Sequence, residues 1–212
     1  MTRAADGVWA LVPVKSFGRG KSRLAPVLDD TARAALARAM FERVLGALEA
    51  SAALAGILVI TDGAEVVEAA RARGAAAMLD LAPAPLGRIV DGGLAALADR
   101  GASAALVVMG DLPDLDAVDA RRILALLDDH DLVIAPDASG DGTGALALRP
   151  VLAMPSCFGN ADSFSRHVAA ARAAGLRAAI YHSPSVAFDV DAPEDYRAWL
   201  KRTTCAPTAG SS

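Results

Sequence analysis

Two aspartates near the carboxyl end of the chain, Asp189 and Asp191, have the spacing of a metal-binding pair. Residues i and i+2 of a strand point to one face, so both carboxylates would lie side by side among apolar neighbours. Two like charges about 4 Å apart repel by roughly 4 kcal/mol at an effective dielectric near 20. The pair therefore requires a cation, and Mg²⁺ suits carboxylate oxygens and substrate phosphates. The alternative is a capping box of Asp191 and Glu194, which leaves Asp189 unexplained.

A third carboxylate, Asp111, directly follows the apolar run of residues 105–110. A charge immediately after a buried strand is poorly placed for a merely solvated residue. The alternative is a turn or a helix cap. Asp114 and Asp116 lie further along and are expected to cap a helix or face solvent.

A basic, glycine-containing loop follows the first apolar run, in the stretch KSFGRGKSRL. Glycines let a backbone approach a ligand closely, and the cations offer charge-assisted hydrogen bonds, a combination that suits a polyphosphate. The spacing matches neither the Walker A motif nor the dinucleotide-binding G-x-G-x-x-G motif. The alternative is a solvated basic loop. The residues concerned are Lys15, Gly18, Arg19, Gly20, Lys21 and Arg23.

Two later segments could bind a further anion. The stretch GDGTGAL places Thr143 among three glycines and predicts exposed backbone amides with one hydroxyl, although a flexible hairpin loop would look the same. In FGNADSFSRH, Ser163 can cap a helix whose free amides would receive phosphate. His167 lies one turn into that helix, where a purely structural histidine is the favoured interpretation.

The elements that must position these residues alternate along the chain. The apolar runs VWALVPV, GILVIT, AALVVMG and DLVIAP are separated by amphipathic helical patterns. Continuous apolar strands alternating with helices predict an α/β fold with a mostly parallel sheet flanked by helices. Ligands bind beyond the carboxyl ends of such strands, where the candidate loops lie. We predict a single Rossmann-like domain over residues 1–202 and a disordered tail over 203–212, and a strand at VAFDVD running into a last helix.

Composition limits the class of partner. The 212 residues carry a net charge of −4, which argues against a nucleic-acid partner and confines any anion site to a local patch. Cys157 and Cys205 do not make a disulfide framework, which favours a reducing, cytoplasmic location. No signal peptide or run long enough to cross a membrane is apparent, so no membrane partner is expected.

The motifs in this order resemble one family. WALVPVK, GKSRL, DLP, GTGAL, FG…SFSRH and DVDAPED look like the guanylyltransferases of coenzyme F420 biosynthesis, over about residues 8–200. The resemblance implies transfer of GMP from GTP to 2-phospho-L-lactate, phosphoenolpyruvate or 3-phospho-D-glycerate. It also implies the Rossmann-like sheet of the wider MobA-like nucleotidyltransferases, with small molecules as partners. The resemblance specifies neither which acid is used nor the oligomeric state, so a homodimer is left as one alternative.

Roles follow from the resemblance residue by residue. It implies that Mg²⁺ binds the three aspartates, that the basic loop binds the triphosphate, and that no protein nucleophile is needed. We expect catalysis to depend on positioning and charge neutralisation. The implied metal ligands are Asp111, Asp189 and Asp191, the nucleotide contacts Lys15, Gly18, Gly20, Lys21 and Arg23, the acid contacts Thr143, Gly159 and Ser163, and the catalytic residues Asp111, Lys21 and Arg23.

The chain departs from the family pattern at three places. Gly144 replaces the usual Asn of GTNAL, Gly87 replaces the Asn of a Leu-Asn pair, and the segment from Gly159 to Ser163 is one residue longer. These differences affect the expected preference for the nucleotide base and the identity of the acceptor acid more than the expected class of reaction. Two alternatives remain: a MobA-like nucleotidyltransferase with another phosphorylated acceptor, such as a pterin or sugar phosphate, or a non-catalytic nucleotide-binding paralogue.

Overall fold

The computed structural model describes residues 7–205, which form one seven-stranded sheet with helices on both faces. The strand order is β3-β2-β1-β4-β6-β5-β7. Strand β6 runs antiparallel to its neighbours β4 and β5, and the remaining pairs are parallel. The predicted Rossmann-like class and mostly parallel sheet are therefore confirmed. The strands are β1 Val8–Val14, β2 Gly56–Thr61, β3 Ala76–Leu79, β4 Ala104–Val108, β5 Leu132–Pro136, β6 Thr143–Leu148 and β7 Ala178–Ile180.

Seven α-helices lie in the described part of the chain. The first begins where the Asp29 carboxylate accepts a hydrogen bond from the Ala32 N–H at 2.7 Å, a side-chain N-cap. Two short 3₁₀ turns, Phe17–Arg19 and Ser22–Leu24, occupy the basic loop. The helices are α1 Asp30–Ala50, α2 Ala64–Ala72, α3 Leu86–Asp99, α4 Ala117–Leu126, α5 Ser163–Ala173, α6 Pro184–Ala187 and α7 Pro193–Cys205.

Aliphatic side chains fill the core on both sides of the sheet. Helices α1, α2 and α4 cover one face, where Phe41 and Ile123 are buried, and α3 and α5 cover the other, where Leu94 is buried. A third, smaller cluster joins α7 to α1 and the basic loop through Leu24, Met40 and Val190. This cluster brings the carboxyl end of the chain against the edge where the candidate loops lie.

The structure corrects one element and extends another. Residues 188–191 form no strand; the one-turn helix α6 leads into an irregular segment, so Asp189 and Asp191 are not paired by strand alternation. Helix α7 runs to Cys205, three residues into the predicted tail, and residues 206–212 lie outside the described part. Helix ends are the least sharply encoded boundaries in a sequence. No helix within residues 7–205 is both long and apolar enough to cross a membrane.

Candidate active site

The basic loop is fastened to the neighbouring helix α2 and to the loop before it. The Ser16 N–H donates to Asp62 Oδ1 at 2.6 Å, and Glu65 Oε1 accepts from the Ser16 hydroxyl at 2.7 Å and the Phe17 N–H at 3.0 Å. Arg19 forms an ion pair with Asp62, so this cation is already engaged. The loop therefore has a fixed conformation rather than that of a freely solvated segment.

Lys21 connects the basic loop to two of the predicted metal ligands. Its ammonium donates to Asp111 Oδ2 at 2.7 Å and to Asp191 Oδ1 at 2.8 Å, with only 6% of the side chain exposed. Burial alone would lower the pKa of Lys21, but the two carboxylates outweigh it and raise that pKa above its usual value. The backbone at Lys21 is left-handed, with φ of 57°, which a non-glycine residue adopts only against a steric cost.

The three predicted metal ligands form an acidic edge, defined as Asp111, Asp189 and Asp191. The Lys21 ammonium bonds two of them, Asp111 and Asp191. Burial, followed by the charges of Asp111 and Asp191, raises the pKa of Asp189 to about 6. The edge thus holds more negative charge than Lys21 neutralises. Within residues 7–205 no three His, Cys, Asp or Glu side chains converge closely enough to make a preformed metal site. The donors nevertheless fit Mg²⁺, because all three are carboxylates and are short of positive charge.

The capping alternative for Asp191 is wrong. The Asp191 carboxylate bonds Lys21, whereas Asp195 Oδ2 accepts from the Ala192 N–H at 2.8 Å and the Asp191 N–H at 3.2 Å. The third residue of α7 therefore reaches back to the helix start, and Asp191 remains available to the acidic edge. Asp116 behaves as predicted and caps α4 by accepting from the Asp119 N–H at 2.8 Å. Asp114 does not, because it is only partly exposed and forms an ion pair with Arg202 at 2.7 Å.

Two hydroxyl side chains and one imidazole form a hydrogen-bonded cluster that joins the first residue of β6 to α5. Its members are Thr143, Ser163 and His167, and we call it the hydroxyl cluster. The Ser163 hydroxyl donates to Thr143 Oγ1 at 3.3 Å, and His167 Nδ1 lies 3.0 Å from the same oxygen. His167 Nε2 accepts the Cys157 N–H at 2.8 Å, and the imidazole is fully buried. The helix N-cap is Asp162, without a side-chain bond, so the prediction that Ser163 caps α5 is wrong.

Burial lowers the pKa of His167 to about 4, although the Ser163 carbonyl and the more distant Asp91 carboxylate oppose that shift. An unfolded histidine titrates near 6.5, so below that pH the unfolded chain binds a proton that the folded chain does not. We therefore expect His167 to contribute a loss of stability, about 3 kcal/mol in total, as the pH falls from about 6.5 to about 4. Urea unfolding of the wild type and His167→Gln at about pH 7 and about pH 4.5 checks this: the wild type should lose more stability. Equal losses would contradict it.

The loop before α5 touches the start of α3. A Cβ built on Gly87 would lie 3.0 Å from the Phe158 carbonyl oxygen, and one on Gly159 would lie 3.2 Å from Leu86 Cβ. Gly159 also has a left-handed φ of 86°. Gly87, where the chain differs from the family pattern, therefore lies next to the loop that is predicted to bind the acid and not next to the basic loop.

Gly144 lies between the segments that carry the aspartates. Its carbonyl accepts from the Met109 N–H at 3.3 Å, two residues before Asp111. A Cβ at this position would lie 2.4 Å from the Val186 carbonyl oxygen in α6, which leads to Asp189. Only glycine permits this approach of α6 to β6.

We expect Gly144→Ala to lower the free energy of unfolding by about 1–3 kcal/mol and kcat/KM by about a hundredfold, because α6 must move and carry Asp189 with it. The matched control is Gly92→Ala within α3, where a Cβ meets nothing within 4 Å. The control should be as stable as the wild type or more so, since alanine suits a helix better. Thermal unfolding and steady-state kinetics measure both effects. A fully active Gly144→Ala would contradict the expectation.

Some of the predicted site residues form two bonded groups, and the others lie apart from these contacts. Lys21 joins Asp111 and Asp191, and Thr143 joins Ser163. Lys15 and Arg23 are exposed and form no ion pair within residues 7–205. Their positions suit a ligand in the solvent-facing part of the loop. Gly18 and Gly20 lie in the same turn, and Gly159 in the loop before α5.

Sequence reasoning missed the part that His167 plays. Ser163 and His167 are four residues apart on one helix, so they share a face. That spacing could have indicated that the histidine follows the serine toward Thr143. It also missed Asp62 and Glu65, which hold the basic loop from the neighbouring β2–α2 connection and the start of α2 and have no motif of their own.

Comparison with known proteins identifies relatives along nearly the whole chain. Residues 8–200 match the family described as Guanylyl transferase CofC like. The phosphoenolpyruvate guanylyltransferase of Rubrobacter xylanophilus is 40% identical, covering 89% of this chain and 91% of the relative. The 3-phospho-D-glycerate guanylyltransferase of Phenylobacterium zucineum is 40% identical (88% and 86%), and the 2-phospho-L-lactate guanylyltransferase of Methanothermobacter thermautotrophicus is 34% identical (88% and 81%).

Solved structures share the fold at low sequence identity. A Desulfovibrio desulfuricans G20 protein described as a nucleotide-diphospho-sugar transferase superposes with a TM-score of 0.79 at 21% identity, covering 100% of this chain and 92% of its own. A Mycobacterium tuberculosis protein in complex with manganese gives 0.53 at 20% identity, covering 93% and 99%. The family match and the curated relatives together show that this chain is a nucleotidyltransferase and belongs to the CofC-like guanylyltransferase family.

Proposed function

We propose that this chain transfers GMP from GTP to a phosphorylated three-carbon acid in the cytoplasm, as a step in coenzyme F420 biosynthesis. The acid is 2-phospho-L-lactate, phosphoenolpyruvate or 3-phospho-D-glycerate, the substrates for which its relatives are named. The observation that carries the proposal is the position of Lys21, which joins the basic loop to the acidic edge. A triphosphate lying along the loop would therefore reach the carboxylates.

The proposed reaction is a direct displacement. A phosphate oxygen of the acid attacks the α-phosphorus of GTP, a new phosphorus–oxygen bond forms, and the bond from the α-phosphorus to the bridging oxygen breaks to release pyrophosphate. Lys21 and the exposed Lys15 and Arg23 would neutralise the phosphates, and Gly18 and Gly20 would allow the backbone to approach them. No side chain needs to become covalently attached.

The acidic edge would hold the divalent cation. Asp111, Asp189 and Asp191 supply the oxygen donors, and Mg²⁺, when bound, would neutralise developing charge on the phosphates. The manganese complex of a structural neighbour is consistent with a divalent ion in this fold. Thr143, Gly159 and Ser163 would contact the phosphorylated acid. Ser163 bonds Thr143, and His167 bonds Cys157 in the loop that contains Gly159, which supports placing the three near one another.

The direct test measures pyrophosphate release with Mg²⁺ and GTP against the three acids, with a sugar phosphate and a pterin phosphate as comparison acceptors. We expect release with at least one of the three acids and little without an acceptor. Release only with a comparison acceptor would favour the broader MobA-like activity. GTP binding without release from any acceptor would favour a non-catalytic paralogue.

Truncation of one hydroxyl tests the acid pocket. We expect Thr143→Val to raise KM for the acid about ten- to a hundredfold, the cost of a hydrogen bond to a charged group, and to leave KM for GTP nearly unchanged. Ser51→Ala is the control, because Ser51 is also buried and donates to the Leu48 carbonyl at the end of α1, away from the site. It should affect stability alone. A Thr143→Val defect confined to GTP would overturn the acid-pocket assignment.

A further inference from the structure

The fully buried imidazole of His167 has no role in the proposed reaction, yet it touches the segments that carry all three predicted acid contacts. It lies one turn after Ser163 in α5 and 3.0 Å from Thr143 Oγ1. Through Cys157 it also holds the loop that contains Gly159. The Phe158 ring packs edge-on against the imidazole at a centroid distance of 5.0 Å.

The contacts of His167 determine which of its nitrogens carries the proton. A backbone N–H can only donate, so the Cys157 amide requires a lone pair on Nε2. Burial keeps the ring neutral at physiological pH, and a neutral imidazole carries one proton. The proton is therefore on Nδ1, whose hydrogen-bond partner is Thr143 Oγ1 at 3.0 Å.

This tautomer fixes the direction of the Thr143 hydroxyl. Thr143 Oγ1 faces the Nδ1–H donor of His167 and accepts the Ser163 hydroxyl proton at 3.3 Å. A hydroxyl oxygen has two lone pairs and one proton, so both lone pairs are engaged and the proton must point elsewhere. Thr143 can then present only a donor to a ligand, which suits a phosphate or carboxylate oxygen.

We propose that His167 is a positioning residue that makes Thr143 an obligatory hydrogen-bond donor to the anionic acid substrate. The proposal rests on the proposed function for the identity of that substrate. It differs from a purely structural role, since a structural histidine would affect stability without selecting between the two substrates.

Two substitutions separate the two ring nitrogens. Asparagine places an amide N–H near the position of Nδ1, so His167→Asn can retain the donor to Thr143 but loses the Cys157 contact. Glutamine places its amide near Nε2, so His167→Gln can retain the Cys157 contact but loses the donor. We expect His167→Gln to raise KM for the acid about tenfold with KM for GTP unchanged. His167→Asn should raise KM for the acid by no more than about threefold, through the loosened loop that contains Gly159, and should also leave KM for GTP unchanged. In a Thr143→Val background, His167→Gln should have no further effect on KM for the acid.

The opposite results would overturn the proposal: equal effects of the two variants, a shift in KM for GTP as large as that for the acid, or additive effects with Thr143→Val. Nitrogen-15 NMR of the wild-type imidazole gives a readout independent of turnover. The proton should reside on Nδ1, and a proton on Nε2 would refute the proposal even if every variant were inactive or unfolded. If the wild type uses none of the three acids but the Nδ1 tautomer is found, the proposed function fails while the orientation of Thr143 stands.

Discussion

Asp189→Asn is expected to lower kcat/KM by about a thousandfold and to leave the fold intact. The substitution keeps the shape of the side chain and removes one negative charge from the acidic edge that would hold the metal and face the phosphates. Because burial and neighbouring carboxylates already raise the pKa of Asp189 to about 6, a neutral side chain should be tolerated in the folded chain. Asp111→Asn should reduce activity to a similar degree. Pyrophosphate release and thermal unfolding measure the two effects.

The matched control is Asp128→Asn. Asp128 follows α4 at the opposite edge of the sheet, and its side chain is 75% exposed beside Arg149. The same change of one charge there should leave kcat/KM within about twofold, because an exposed pair contributes little. Wild-type activity of Asp189→Asn, or an equal loss in Asp128→Asn, would show that the acidic edge is not the reaction centre.

Lys21→Met has the second-largest expected effect. Methionine keeps most of the length of the side chain but leaves Asp111 and Asp191 without their shared cation, and a triphosphate would then meet an uncompensated negative edge. We expect kcat/KM to fall about a hundred- to a thousandfold, with KM for GTP raised. Initial rates with GTP varied at a saturating concentration of acid measure the change.

Lys15→Met provides the comparison for Lys21→Met. Lys15 belongs to the same loop, is exposed, and forms no ion pair with another residue in the part of the chain that the structure describes. Its loss should raise KM for GTP by no more than about tenfold, because solvent and salt screen an exposed charge. Equal defects in the two variants would mean that the whole loop acts as a diffuse basic patch, contrary to the specific position of Lys21.

The elements of the fold were largely predictable, and the contacts between them were not. The apolar runs that became β1, β2, β4 and β5 follow from composition and periodicity alone. The segment at 188–191 was predicted as a strand because its apolar residues alternate, yet Val190 is buried by packing against α7 and α1 rather than by a sheet. Local pattern cannot distinguish these two ways of burying one side chain.

The candidate site was predictable as a set of residues and not as an arrangement. Asp111 and the basic loop each had a sequence signal, and the family pattern placed them in one site. Nothing local indicated that Lys21 would bond Asp111 and Asp191, because that contact depends on a left-handed backbone at Lys21 and on loops far apart in the chain. The roles of Asp195 and His167 likewise became visible only when their partners were in place.

The ion pairs of Lys21 also bear on the order in which the chain can acquire activity during synthesis. Asp111 follows Lys21 by 90 residues and Asp191 by 170 residues. At the usual rate of elongation, roughly 5–20 residues per second, Lys21 is made roughly 10–30 s before Asp191. The central strands can pair during that interval, but the ammonium lacks its second carboxylate and α7 is still incomplete. The acidic edge is therefore the last part of the site to be completed in the nascent protein, and a prematurely terminated chain would contain most of the sheet without Asp191 beside Lys21.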